Sequence, residues 1–183
     1  MLRSVFSVIV FLLFVFPSHI FAQDVGGGGI VYSENVGVSL KAPQGWVFDT
    51  KSGLSQGVHV VMYPQGETWE ESPEVMYVNI VENQDETLDA FIAGDIEVFK
   101  SNAPKLAVKK DAPITLSDGN TAEVRLFSGD EWDNFECIAY AAKGTDVIIY
   151  VLSARDEKGL KKNLGAFKKM VAESSLMGVT INK

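Results

Sequence analysis

The stretch KAPQGWVFD, Lys41–Asp49, sets the reading frame for the whole chain. Ahead of it, Val36, Val38 and Leu40 alternate with Gly37, Ser39 and Lys41, the period of two of a half-buried strand. Pro43 and Gly45 then turn the chain, and a fresh apolar run opens on Trp46. An indole placed directly after a turn suits a wide apolar lid over one end of a core, where it buries much area. A ligand platform is the functional alternative for Trp46. Strand, turn and capping tryptophan mark the start of a fold.

Working outward, Ile30–Ser33, Val58–Tyr63 and Val75–Val81 carry strand patterns, rich in β-branched and aromatic residues. YPQGETWEESPE, residues 63–74, is polar with two prolines and reads as a loop. The period then changes. In TLDAFIAGDIEVFKSNAP, Leu88, Phe91, Ile92, Ile96 and Phe99 fall at helical spacing, with Asp89, Glu97 and Lys100 outward. Asp85 or Thr87 supplies the cap, and Pro104 stops the continuation. Strand patterns return at Leu106–Lys109, Ala122–Phe127, Phe135–Ala141 and Val147–Leu152. A turn at Asp118-Gly119-Asn120 and a hairpin at AKGT, residues 142–145, join them. A second helix follows, with Leu160, Leu164, Phe167 and Val171 in one stripe and Ser153 and Asp156 at capping-box spacing. The tail, residues 175–183, has no clear period. Few helices and hairpin-like connections predict an α+β fold, a mostly antiparallel β-sheet flanked by helices.

The order of these pieces resembles that of PsbP/Mog1-like domains. VGVSLKAP, then GW, then VHVVMYP correspond to the opening strands. TLDAFIAGDIEVFK corresponds to the mid-chain helix, FECIAYAA and VIIYVLSAR to the central strands, and LKKNLGAFKKMV to the last helix. The resemblance spans Ile30 to Ser174 and implies an α/β/α sandwich. It implies binding or assembly more than chemistry: PsbP-like proteins are extrinsic photosystem II subunits, Mog1 binds a small GTPase, and DcrB-related members are envelope or chaperone proteins. It offers no shared catalytic motif to carry over.

The start of the chain, MLRSVFSVIVFLLFVFPSHIFAQD, has one early cation, a short apolar core and a break at Pro17, the layout of a signal peptide over residues 1–22. Its core of about a dozen residues is short for a span of ~20. DVGGGG, within residues 23–29, reads as a flexible leader, and residues 30–174 as one domain. Cys137 is the single cysteine, so neither an internal disulfide nor a lipid-attachment site after the apolar core is expected. Export without disulfides points to a bacterial envelope protein, periplasmic or secreted.

The net charge of −8 is uneven. Residues 23–100 hold 3 cations and 13 anions, whereas residues 101–183 hold 12 and 11. That argues against nucleic acid and anionic lipid as partners. Among candidate sites, His59 is alone outside the signal and cannot build a multi-histidine metal centre. Cys137 is in phase with Phe135 and Ala139 and reads as buried; a Cys137–His59 nucleophilic pair is the reactive alternative. Asp130, Glu131, Asp133 and Glu136 in GDEWDNFE form an acidic loop without the EF-hand spacing. In ETWEESPE, Trp69 among Glu67, Glu70, Glu71 and Glu74 has the composition of an interface anchor for a basic partner. The lysines at 158, 161, 162, 168 and 169 read as a solvated helix face. The expectation is a non-enzymatic, cofactor-free module that contacts an envelope protein through the Trp69 loop. The alternatives are a metal or small-ligand binder using the acidic loops, and a carboxylate-dependent enzyme.

Overall fold

The computed structural model describes residues 27–83 and 87–179. The expected signal peptide, most of the leader and Asp85 lie outside the described residues. Ten strands and three helices are present among them: β1 Gly28–Tyr32, β2 Val36–Lys41, β3 Trp46–Asp49, α1 Thr50–Ser55, β4 Val60–Pro64, β5 Glu74–Glu82, α2 Leu88–Asn102, β6 Ala107–Thr115, β7 Thr121–Ser128, β8 Phe135–Lys143, β9 Asp146–Ala154, α3 Glu157–Glu173 and β10 Ser175–Gly178. The main sheet has seven strands in the order β3-β4-β5-β9-β8-β7-β6, and a small sheet has the order β1-β2-β10. Every pairing is antiparallel. The α+β class expected from the sequence is the one found.

Strand alternation divides the main sheet into two faces. On one, Val60, Met62, Met76, Val78, Cys137, Ala139, Ile148, Tyr150 and Leu152 pack with Phe167, Met170 and Val171 of α3 and with Val36, Val38 and Leu40 of β2. On the other, Phe127, Ile138, Tyr140, Val147 and Val151 pack with Ile92 of α2, joined by half-buried Phe91, Ile96 and Phe99. A third, smaller patch of Val47, Val61 and Tyr63 continues that second face toward the β3 edge. The result is three layers, with α3 and the small sheet on one side and α2 on the other.

The opening turn behaves as its residues dictate. Trp46 N–H donates to the Pro43 carbonyl at 3.0 Å, and Gly45 has φ +80°, the type II position that glycine takes at low cost. Trp46 is buried at the rim of the α3-side core. Thr87 caps α2 through a hydrogen bond from the Ala90 amide.

Several elements differ from the expectation; β6, for one, runs on to Thr115 rather than ending at Lys109. Of the leader expected over residues 23–29, Gly28 and Gly29 belong to β1: backbone pairing with Lys41 and Leu40 holds them without side chains. The tail has no clear period, yet residues 175–178 form β10, paired with residues 36–39 of β2. Asp156 is itself the N-cap of α3, accepting from Gly159 N–H at 2.7 Å, while Ser153 stays inside β9. The short α1, capped by Asp49, had no signal in the apolar pattern, because six residues are too few to show a helical period.

The outer edge of β10 is closed by a side chain. The Asp118 carboxylate accepts from the Leu176 amide and, at 3.0 Å, from Asn120 N–H. The Asp118→Ala variant is expected to lose about 1–2 kcal/mol, the scale of hydrogen bonds to an ionised acceptor. Hydrogen exchange checks it: the Leu176 amide should exchange faster while the β8–β9 ladder is unchanged.

Candidate functional site

The described surface contains a cleft of about 320 Å³ beneath α2. It is built by three elements. Helix α2 contributes Asp95, Val98, Phe99 and Asn102; the β7–β8 loop contributes Asp130, Glu131 and Trp132; the sheet floor contributes Tyr77 and Glu136. Phe99 packs on Phe127 with ring centroids 5.2 Å apart, which fixes the inner wall.

The loop is held by its own backbone. Asp130 accepts from the amides of Trp132 at 3.0 Å and Asn134 at 2.7 Å, and Asp133 N–H donates back to the Asp130 carbonyl at 3.1 Å. Gly129 and Asp133 both take positive φ, the cost of so tight a turn. With Asp130 consumed internally, the loop presents Trp132 outward, 71% exposed. Val98 on α2 is also exposed beside it.

The floor is unusual in its charge. Glu136 is only 6% exposed. Because β8 is buried on both faces, the alternation that sends Cys137 to the α3 side sends Glu136 to the α2 side. Burial pushes its carboxyl up to about 7, a hydrogen bond from Ser153 opposes this, and the charges of Asp130 and Asp95 add to it. Asp95 lies in the α2 stripe between Ile92 and Phe99 and accepts from the Tyr140 hydroxyl at 2.6 Å. Burial raises its carboxyl, and the Tyr140 bond partly offsets that. Tyr77 and Tyr140 have their hydroxyls held protonated, first by burial and then by these carboxylates. The cleft therefore combines aromatic walls with a floor of carboxyl groups.

The residues singled out in ETWEESPE take different roles. Trp69 is half-buried, its ring edge-on to Tyr77 with centroids 6.2 Å apart, and it joins the Val47–Val61–Tyr63 patch. The Glu67 carboxylate accepts from Ser72, and Glu74 faces Lys162 at 3.8 Å with Gly159 packed against its stem. Glu70 and Glu71 are exposed. The five do not make one exposed patch. Through Tyr77, however, this loop adjoins the cleft.

Other candidates separate. Cys137 is buried in the α3-side core, and that burial pushes its thiol up to about 12. The His59 ring lies instead against Asn79, with Nδ1 2.9 Å from its Oδ1. Asn79 shares the face of Tyr77, opposite to Cys137, so the two do not meet. No group of three or more His, Cys, Asp or Glu among the described residues is arranged to hold a metal ion. On α3, Lys161 pairs with Glu157 at 2.7 Å and Lys168 reaches Asp111 at 2.7 Å.

No protein-family model matches the chain, and no curated protein matches it. Among solved structures it is similar to the cyanobacterial PsbP (CyanoP) of Synechocystis, with 17% identity and a TM-score of 0.51, over 83% of this chain and 98% of that one. It is also matched by the Saccharomyces cerevisiae Ran-binding protein Mog1p, with 13% identity and a TM-score of 0.44, over 80% and 89% of the two chains. The fold is thus PsbP/Mog1-like, as the order of strands and helices implied.

Proposed function

We propose that the chain is an exported, non-enzymatic binding module that engages a protein partner through the cleft beneath α2. The observation that carries this reading is Trp132, an exposed indole on a hydrogen-bonded loop at the rim of a carboxyl-lined cleft. Tryptophan is one of the residue types enriched among the side chains that carry interface binding energy. The floor carboxylates favour a basic side chain, a lysine or arginine, inserted past the indole. Glu131, and beyond Tyr77 the exposed Glu70 and Glu71, extend the acidic rim toward the Trp69 loop. The apolar core at residues 5–16 supports export to the bacterial envelope, and no helix among the described residues is long and apolar enough to cross a membrane.

The test is capture of partners from an envelope extract by the purified chain, with Trp132→Ala run beside it. One stoichiometric partner, held at low salt and weakened roughly 30-fold or more in Trp132→Ala, is the expected result, since such anchors are worth about 2 kcal/mol or more. A partner retained undiminished by Trp132→Ala would remove the cleft from the account.

A further inference from the structure

The described residues form four sheet edges, and three of them carry features that discourage pairing. Strand β6 carries Lys109, Lys110 and Asp111, contains Pro113, and shifts register between Asp111 and Ile114. These are the charges, proline and bulge that discourage edge-to-edge pairing. Strand β3 has only four residues and runs directly into α1. Strand β10 has only four residues, and Asp118 takes its outward Leu176 amide. The fourth edge is β1, GGIVY, with no charge, no proline and no bulge.

The ladder fixes which β1 groups are free. Ala42 N–H donates to the Gly27 carbonyl at 2.9 Å, and Ser33 N–H to Val36 at 2.9 Å. Hydrogen-bonded and non-hydrogen-bonded pairs alternate in an antiparallel ladder. The register therefore makes Gly29–Leu40 and Val31–Val38 the bonded pairs. The N–H and C=O of Gly28, Ile30 and Tyr32 point away from β2. The same three residues share the outer face of the small sheet, where Tyr32 is 68% and Ile30 is 55% exposed. The strand end is firmly held, since Ser33 Oγ donates to the buried Asp146 at 2.6 Å.

We propose that β1 pairs antiparallel with β1 of a second copy of this chain, joining two small sheets into one of six strands. A two-fold axis at Ile30 sets Ile30 opposite Ile30, and Gly28 opposite Tyr32, in both directions. All six outward backbone groups then find partners, and the interface is self-complementary, as a two-fold dimer requires. The side chains agree with that register. A Cβ on Gly28 would stand 2.7 Å from Lys41 Cγ, so Lys41's stem lies beside the bare glycine. The phenol of the opposing Tyr32 lies over that glycine and that stem, an aromatic–glycine cross-strand pair with a cation at its edge. The same two-fold brings exposed Glu34 of one copy to the end of the seam where Lys41 of the other lies. This contact is on the α3 side of the main sheet, away from the α2 cleft, and stands or falls independently of it.

The test uses the purified chain in sedimentation and light scattering over a range of concentrations. A monomer–dimer equilibrium is expected, with Ile30→Lys raising the dimer dissociation constant at least tenfold and leaving the melting temperature of the monomer unchanged. Ile30→Cys gives a second reading that does not depend on losing the dimer. Across a hydrogen-bonded antiparallel pair the two Cα atoms are about 5.5 Å apart, within disulfide range. Mild oxidation should therefore yield a covalent dimer, whereas Leu54→Cys, exposed elsewhere, should not. Buried Cys137 does not compete. A chain that stays monomeric at all concentrations, a dimer indifferent to Ile30→Lys, or cross-linking no faster at Ile30 than at Leu54 would each overturn the proposal.

Discussion

Replacing Glu136 by Gln is expected to stabilise the protein by about 3 kcal/mol at pH 8 and to change little at pH 4.5. The carboxyl titrates at about 7 in the folded chain, against an ordinary 4.5. Each unit of difference is worth about 1.4 kcal/mol between the two protonation states. The sign follows from proton linkage. Between pH 4.5 and 7 the folded state holds a proton that the unfolded state has released. Stability therefore falls as pH rises through that window and levels off above it. Below 4.5 both states are protonated and the charge has no cost. Gln keeps the shape and the hydrogen bond to Ser153, carries no charge, and should flatten the slope. Urea unfolding of both forms from pH 4.5 to 8 measures it. Equal slopes would mean that Glu136 is better solvated than its burial indicates. A residual slope of the same sign is expected from Asp95, which burial also raises. The same ionisation bears on the proposed partner: a cation in the cleft should favour ionised Glu136, so binding tightens with rising pH in the wild type and less so in Glu136→Gln, where Asp95 remains.

The architecture was legible in the chain because its signals are local. Alternation at Val36–Leu40, the Pro43–Gly45 turn and the helical spacing of Leu88–Phe99 each depend on a few neighbouring residues. The site was harder to see. Asp95 sits within the stripe of Leu88, Ile92 and Phe99, and a carboxylate inside an apolar stripe is a signal in itself. It gains meaning only when α2 lies over Tyr140, 45 residues away. Glu136 stands between Phe135 and Cys137 in an otherwise apolar strand. Grouped with Asp130 and Asp133 it reads as part of a solvated loop; by alternation it belongs to a strand buried on both faces. Trp69 and Trp132 are the sharpest case. Both lie among carboxylates in polar loops, so composition does not separate them. What separates them is loop mechanics: Asp130 folds its loop onto itself and turns Trp132 out, whereas the residue 63–74 connection lays Trp69 on Tyr77. The small sheet was missed in part because its strands are far apart in sequence, and β10 has only four residues to show a period.

The Phe167→Ala variant should lose about 3–5 kcal/mol, a large share of the stability of a domain this size. Phe167 is fully buried on α3 and belongs to the core shared by the main sheet, α3 and β2. Removing its ring leaves a cavity between two layers that cannot easily close, because hydrogen bonds fix both sheets and Ser174 ties the end of α3 to Tyr150 at 2.9 Å and to Ser117. Phe91→Ala on α2 provides the contrast. Its ring is half-buried, edge-on to Tyr140 at 6.3 Å, and its loss should cost markedly less. Thermal or urea unfolding of the pair measures both, and equal losses would mean that the two helical layers carry similar shares of the core. The difference has a functional consequence. If the α3 side holds the fold, then α2, the lightly anchored layer, can carry exposed Val98 and a charged cleft without jeopardising it. Well below its melting temperature, Phe167→Ala should keep the wild-type affinity of the cleft, since nothing Phe167 touches lines it, while Trp132→Ala loses affinity at unchanged stability. A parallel loss of binding and stability in Phe167→Ala would mean that the two faces of the sheet are coupled through the central strands β8 and β9.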